Sequence, residues 1–195
     1  MRIKHVYFPT SGFVSLVQTL REGSSIEVGM VGREGLFGHE LIRPGDISMV
    51  TAAVQGQGQA LCMGLPLFRQ HWDRSTAMRS MVQQHSSYRR RQTAQTILCT
   101  RFHAVEQRLA RLLILTVDRA GNTSFSVSHE LLSYLLGARR AGVTVAMGML
   151  RERGLISYQP RKVTILDLPR ADRCGLLSHG GGPAGKPQRV GAMNY

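Results

Sequence analysis

The apolar and polar positions of the first sixty residues change in short runs. His5-Val6-Tyr7-Phe8 reads as a strand and runs into the turn-forming Pro9-Thr10-Ser11-Gly12. Residues 13–20 are strand-like again, Arg21-Glu22-Gly23-Ser24 supplies a turn, and Ile26-Glu27-Val28-Gly29-Met30-Val31 alternates once more. Gly32, Gly35 and Gly38 then punctuate a loop, and two further short strands are expected across residues 48–63. Short antiparallel strands at this spacing predict a small sandwich or barrel. The region is short for a closed barrel and starts almost directly in a strand. One or two strands are therefore expected to be missing on its N-terminal side.

The period becomes helical after residue 66. Leu67, Phe68 and Trp72 predict a short helix, and residues 75–102 contain neither Gly nor Pro. Within that stretch Met81, His85, Tyr88, Gln92, Gln95, Cys99 and Phe102 follow a 4-3-4-3-4-3 spacing, a heptad seam with a polar middle. The seam either pairs with a second copy of the chain, as a dimerisation helix, or packs on the chain's own strands. Arg89-Arg90-Arg91 reads as a solvated face. A further helix is expected over about 103–119, with Val105, Leu109, Leu112, Leu113 and Thr116 on one side and Ala120-Gly121-Asn122 as its stop.

Residues 125–168 carry the most specific pattern. Ser128 is a good N-cap for the apolar run Leu131, Leu132, Leu135, Leu136, and Glu130 in the first turn complements the helix dipole. Gly137 stops that helix, and a second runs from about Arg139 to Arg153, ended by Gly154. Val143, Ala146, Met147 and Leu150 face its core side, while Arg139, Arg140, Thr144, Val145, Gly148 and Arg151 face out. Two short strands follow, joined by Gln159-Pro160-Arg161-Lys162. Helix, Gly turn, Arg-rich helix and basic hairpin, in that order, predict a winged helix-turn-helix. Its second helix has the width to enter a major groove, where Arg140, Arg139 and Thr144 can bond base edges and Val145 can touch a thymine methyl. Ser128 and His129 at the first helix's N-terminus can present donors to a phosphate, and Arg151, Arg161 and Lys162 can hold the backbone.

Charge agrees with that reading. The chain of 195 residues has 25 Lys+Arg against 12 Asp+Glu, a formal net charge of +13. Residues 1–74 hold 7 basic and 6 acidic residues, so the excess belongs to the remainder and points to a polyanion. At 43% hydrophobic the chain is globular. Residues 174–195, with six glycines and two prolines, read as a disordered tail. No apolar run reaches the ~18–20 residues that span a bilayer, and Met1-Arg2-Ile3-Lys4-His5 is not followed by the apolar core of a signal peptide. Cys62, Cys99 and Cys174 lack zinc-site spacing and suit a reducing cytoplasm. Neither GxSxG nor HExxH occurs, which speaks against an enzyme.

Four stretches resemble the Crp–Fnr transcription regulators: HVYFPTSGFVSLV, SIEVGMVGREGLFG, CTRFHAVEQRLARLLILTVDRAG and SHELLSYLLGARRAGVTVAMGMLRERGLISYQPRKVTILD. The resemblance implies an α+β chain with three parts. A cupin-like effector barrel, here truncated, and a long dimerisation helix occupy about 1–100, a winged helix occupies 101–170, and a tail follows over 171–195. It also implies a homodimer on palindromic promoter DNA, with RNA polymerase an open further partner and no membrane. In the cyclic-nucleotide-binding members the turn Gly is followed by Arg, Glu and a second Arg that read bases. Gly137 and Arg140 match, whereas Ala141 and Val145 stand where the Glu and second Arg would be, so a different DNA sequence is expected.

The effector loop departs further. Phe37-Gly38-His39 and Ser48-Met49-Val50-Thr51 occupy the phosphate-binding stretches without an Arg. A buried, unpaired phosphate is costly, so no cyclic nucleotide is expected. The Fnr-type cysteine cluster is absent, so no iron–sulfur cluster is expected either. Two alternatives stay open: a member without any effector, and a small-ligand or haem sensor using His39, His71 or His85.

Overall fold

A computed structural model describes residues 4–39, 48–159 and 162–171. The strands β1 (His5–Ser11), β2 (Val14–Thr19), β3 (Ser25–Val31), β4 (Thr51–Val54) and β5 (Gln59–Gly64) come first. Helices α1 (Leu65–Arg74), α2 (Thr76–Phe102) and α3 (Val105–Ala120) follow, then β6 (Ser124–Ser126), α4 (His129–Leu136), α5 (Arg140–Glu152), β7 (Ile156–Gln159) and β8 (Lys162–Ile165). The chain is α+β. Of the expected tail, Ala171 is buried in the core and the remainder lies outside the described residues.

The first five strands form two sheets, β1–β5 and β3–β2–β4, and among the described residues they do not close into a barrel. The predicted turn at Pro9 is not one: β1 runs through Pro9 to Ser11, and its register against β5 shifts between those residues. Proline lacks the N–H of a ladder bond and is tolerated at such a strand irregularity. In β2 Val14, Ser15, Leu16 and Val17 are all buried. Val14 and Leu16 pack with Val31, while Val17 joins Phe13 and Met30 in the core of the C-terminal half. A strand covered on both faces loses clean alternation.

Ser75 caps α2, its hydroxyl accepting from the Met78 N–H at 3.1 Å. The heptad spacing marks one face of this helix, but the structure turns that face inward. His85 abuts Gly35, which has no side chain to obstruct it. Gln92 Oε1 accepts from the Met30 N–H at 3.3 Å, and Cys99 is buried. Tyr88 accepts from the Arg119 guanidinium at 2.8 Å, and Gln95 bonds Cys99 Sγ at 3.3 Å. Of the seven seam residues only Met81 and Phe102 are exposed. The seam therefore serves packing within the chain, on β3, the Gly35 loop and α3, because its polar middle finds backbone and arginine partners there. Outside it, Leu98 and Ile97 are exposed and join Phe102 at the helix's C-terminal end.

The largest core cluster holds Leu109, Leu113, Leu132, Val143, Leu150 and Val163 of the C-terminal half together with Phe13, Val17 and Met30. Apolar packing is thus continuous across residue 100, where the two functional halves were expected to separate. Hydrogen bonds reinforce the junction. Ser25 Oγ donates to the Tyr134 carbonyl at 2.9 Å, and the Arg108 guanidinium donates to the Leu136 carbonyl.

Between α4 and α5, Gly137 adopts φ +58°, and a Cβ there would come within 2.9 Å of the Ser25 carbonyl oxygen. Both facts demand glycine. Gly137→Ala should lower unfolding free energy by roughly 1–3 kcal/mol in chemical denaturation. Gly148→Ala, at an open helical position of α5, should be neutral or stabilising by up to ~1 kcal/mol. Equal midpoints for the two variants would refute the strain argument.

Candidate nucleic-acid interface

The interface is built on α4, α5 and the β7–β8 hairpin. Ser128 Oγ accepts from the Leu131 N–H at 3.0 Å and starts α4, as its residue type predicts. Ser133 then locks the turn, its hydroxyl donating to the Ala138 carbonyl at 2.6 Å. Arg139 sits in extended conformation as the N-cap of α5. Val143, Ala146, Met147 and Leu150 are buried beneath that helix. Its outward face exposes Arg139, Arg140, Thr144, Val145 and Arg151, and Val145 is 63% exposed. An apolar side chain so placed has no packing role within the chain.

The wing follows. β7 pairs with β8, Tyr158 opposite Val163 and Gln159 opposite Lys162, which is exposed at the hairpin tip. Arg161 lies outside the described residues. A third strand, β6, which the sequence pattern did not predict, extends this sheet on β8. It is three residues long, too short for alternation to register.

His129 is engaged within the protein. Its Nδ1 lies 3.0 Å from Thr144 Oγ1, and its ring stacks on Tyr158 at 4.9 Å and 28°. Sequence spacing gives no sign of this contact, because it joins three elements. Arg153 is also occupied: it pairs with Glu106 of α3 at 2.9 Å.

Two features lie behind the interface. The first is an ionic cluster where the strands meet α3. Arg119 has a buried side chain whose Nε is 3.4 Å from Glu34. Glu27 is buried on β3, beside a cavity of about 30 Å³ that Arg111, Arg108 and Cys99 also line. Burial pushes the Glu27 carboxyl up to about 7 from 4.5, and the Ser15 hydroxyl, Arg111 and Arg119 offset this only in part.

The second feature is a cavity of about 750 Å³ between the two sheets, lined by Tyr7, Phe13, Val14, Phe37, Met49 and Val50 among others. No arginine is among its described lining residues, and Lys4 and His5 are its basic groups. Its described walls are mostly apolar. Of the three candidate haem ligands, His39 and His85 lie with ring centroids 5.4 Å apart near Ser86, and His71 is exposed on α1. Among the described residues no three His, Cys, Asp or Glu side chains cluster as a metal site. No described helix is long and apolar enough to cross a membrane.

Helix, glycine turn, cation-bearing helix and wing define a DNA-binding protein of the winged-helix class. Comparison with known proteins takes this further: residues 107–170 match the Crp-like helix-turn-helix domain family. A search of curated proteins finds no match. Among solved structures, a CRP-family transcriptional regulator from Thermus thermophilus is similar at TM-score 0.73 and 21% identity, over 88% of each chain. FixK2 from Bradyrhizobium japonicum has TM-score 0.73 and 15% identity over 88% of this chain and 87% of its own. The c-di-GMP responsive global regulator CLP of Xanthomonas campestris has TM-score 0.69 and 18% identity over 84% and 85%. Residues 107–170 carry a Crp-like helix-turn-helix domain, and the chain shares the fold of the Crp–Fnr structures.

Burial of the Glu27 carboxyl couples its protonation to folding. The folded state holds this proton more tightly than the unfolded chain, so the stabilisation is fully present below pH 4.5 and is lost as pH rises to about 7. Glu27→Gln should flatten the fall in Tm between pH 5 and 7.5 and exceed the native chain in Tm at pH 8. An unchanged slope in differential scanning calorimetry would refute the assignment.

Proposed function

We propose that the protein regulates transcription in the cytoplasm as a homodimer that reads a palindromic promoter site through α5. The observation that carries this reading is the outward face of α5, where Arg140, Thr144 and the unpacked Val145 stand exposed together. Arg140 suits the O6 and N7 of guanine, Thr144 a polar base edge, and Val145 a thymine methyl. Arg139 adds base contact at the start of α5. Ser128, Arg151, Arg161 and Lys162 are the candidates for the backbone, where contacts set register and salt dependence; His129, expected there from the sequence, is engaged by Thr144 and Tyr158.

The partner for α2 is a second copy. Leu98, Ile97 and Phe102 leave an apolar patch on a long helix, adjoining the face already spent on β3. A two-fold dimer would cover it and present two α5 helices to half-sites about 34 Å apart. No cofactor is proposed. The apolar cavity suits a small neutral ligand or none, which leaves regulation by protein level as the alternative to regulation by effector. RNA polymerase is a further partner of such a protein at a promoter.

Selection from a random duplex pool tests the reading and should return a two-fold palindrome. On that site Arg140→Ala should cost about 1–3 kcal/mol and relax one base position, whereas Lys162→Ala should weaken all DNA alike and reduce the salt slope by about 1. A pool without consensus would overturn sequence reading.

The dimer is checked separately. Sedimentation should give a dimer for the native chain at micromolar concentration, and a monomer for Leu98→Asp/Phe102→Asp. A native monomer refutes the assembly.

A further inference from the structure

His129 carries more than a place at the start of α4. Thr144 Oγ1 makes two contacts: it lies 3.1 Å from the Arg140 carbonyl, as donor, and 3.0 Å from His129 Nδ1. A hydroxyl has one proton, and the carbonyl can only accept, so that proton points to Arg140. The imidazole must then donate, which places the histidine proton on Nδ1. Nε2 is buried and has no hydrogen-bond partner among the described residues. The ring's flat face lies on Tyr158 of β7. One side chain thus joins the N-terminus of α4, the outward face of α5 and the first wing strand.

We propose that His129 is a positioning residue for base readout: by donating from Nδ1 it fixes the orientation of the Thr144 hydroxyl, and by stacking on Tyr158 it fixes the wing relative to α5. This inference rests on the DNA-reading function proposed above and assigns a specificity-determining role within it. With its proton on Arg140 and one lone pair on His129, the Thr144 oxygen keeps one lone pair. It therefore meets DNA as an acceptor, suited to an exocyclic amino group of adenine or cytosine in the major groove. A hydroxyl without His129 could turn and serve as donor or acceptor, and its preference would broaden. The role differs from a phosphate contact, in which His129 would act on all sequences alike.

Two measurements test this. Nitrogen-15 NMR of the native chain, free of DNA, should show neutral His129 as the Nδ1–H tautomer, and Thr144→Val should move it toward Nε2–H. An Nε2–H tautomer in the native chain overturns the proposal without touching the DNA-binding reading. In the second measurement, selection and titration compare the native chain with His129→Ala, His129→Asn, Thr144→Val and the His129→Ala/Thr144→Val double variant.

His129→Ala should lose roughly three- to tenfold of discrimination at the base position that Thr144→Val also relaxes, the range of one hydrogen bond. The double variant should lose no more than Thr144→Val alone. His129→Asn, whose amide can donate to the same hydroxyl, should keep most of the preference, and the salt slope should stay native throughout. Additive losses, identical behaviour of Asn and Ala, or a slope lowered by about 1 with unchanged preference overturns the proposal. A native chain that selects no sequence removes the DNA reading and this role together.

Discussion

One residue's backbone conformation sets the geometry of the C-terminal half. Gly137 closes α4 in the left-handed region and stands against the Ser25 carbonyl, so α4 turns into α5 within a few residues while remaining seated on the β2–β3 hairpin. The same contact joins two halves of the chain. Ser25 and Arg108 bond successive parts of the end of α4 at Tyr134 and Leu136, and Phe13, Val17 and Met30 extend the apolar core beneath. A rotation of the hairpin would therefore carry α4 with it. Close-packed cores do not deform gradually, so a change on the strand side would be passed on as a discrete shift of the helix pair.

Much of this architecture was readable from the sequence, and for a local reason. Ser128, Gly137 and Gly154 are signals whose action is confined to a few residues, and the apolar positions 143, 146, 147 and 150 mark one face without ambiguity. What the pattern could not reveal depends on distant partners. The heptad spacing of α2 marks an apolar-to-polar face correctly. Whether that face meets another chain or this one depends on where β3 and α3 come to lie. His85 needs Gly35, Gln92 needs the Met30 amide and Tyr88 needs Arg119, all remote in sequence. The contact of His129 with Thr144 and Tyr158 was hidden for the same reason. Glu27 looked like any polar residue on an alternating strand, and its burial followed only from the second layer laid over β2 and β3.

The distribution of arginine shows why net charge is a poor measure of an interface. Arg79 donates to the Trp72 and Asp73 carbonyls at the end of α1, each at 2.8 Å. Arg108 closes α4, Arg111 lines the Glu27 cavity, Arg119 is buried beside Glu34 and Tyr88, and Arg153 pairs with Glu106. These five contribute to the +13 yet are committed to the fold. Arginine suits such work because its planar fork satisfies several acceptors at once and stays charged when partly buried. The exposed cations of the described candidate interface are fewer, Arg139, Arg140, Arg151 and Lys162, and under the proposed function these would release counterions from DNA. Counterion release scales with phosphates neutralised, not with protein charge. On the proposed reading, α5 and the wing set the steepness of binding with salt, while Arg79, Arg108, Arg111 and Arg119 of α2 and α3 add charge to the chain without adding to that interface.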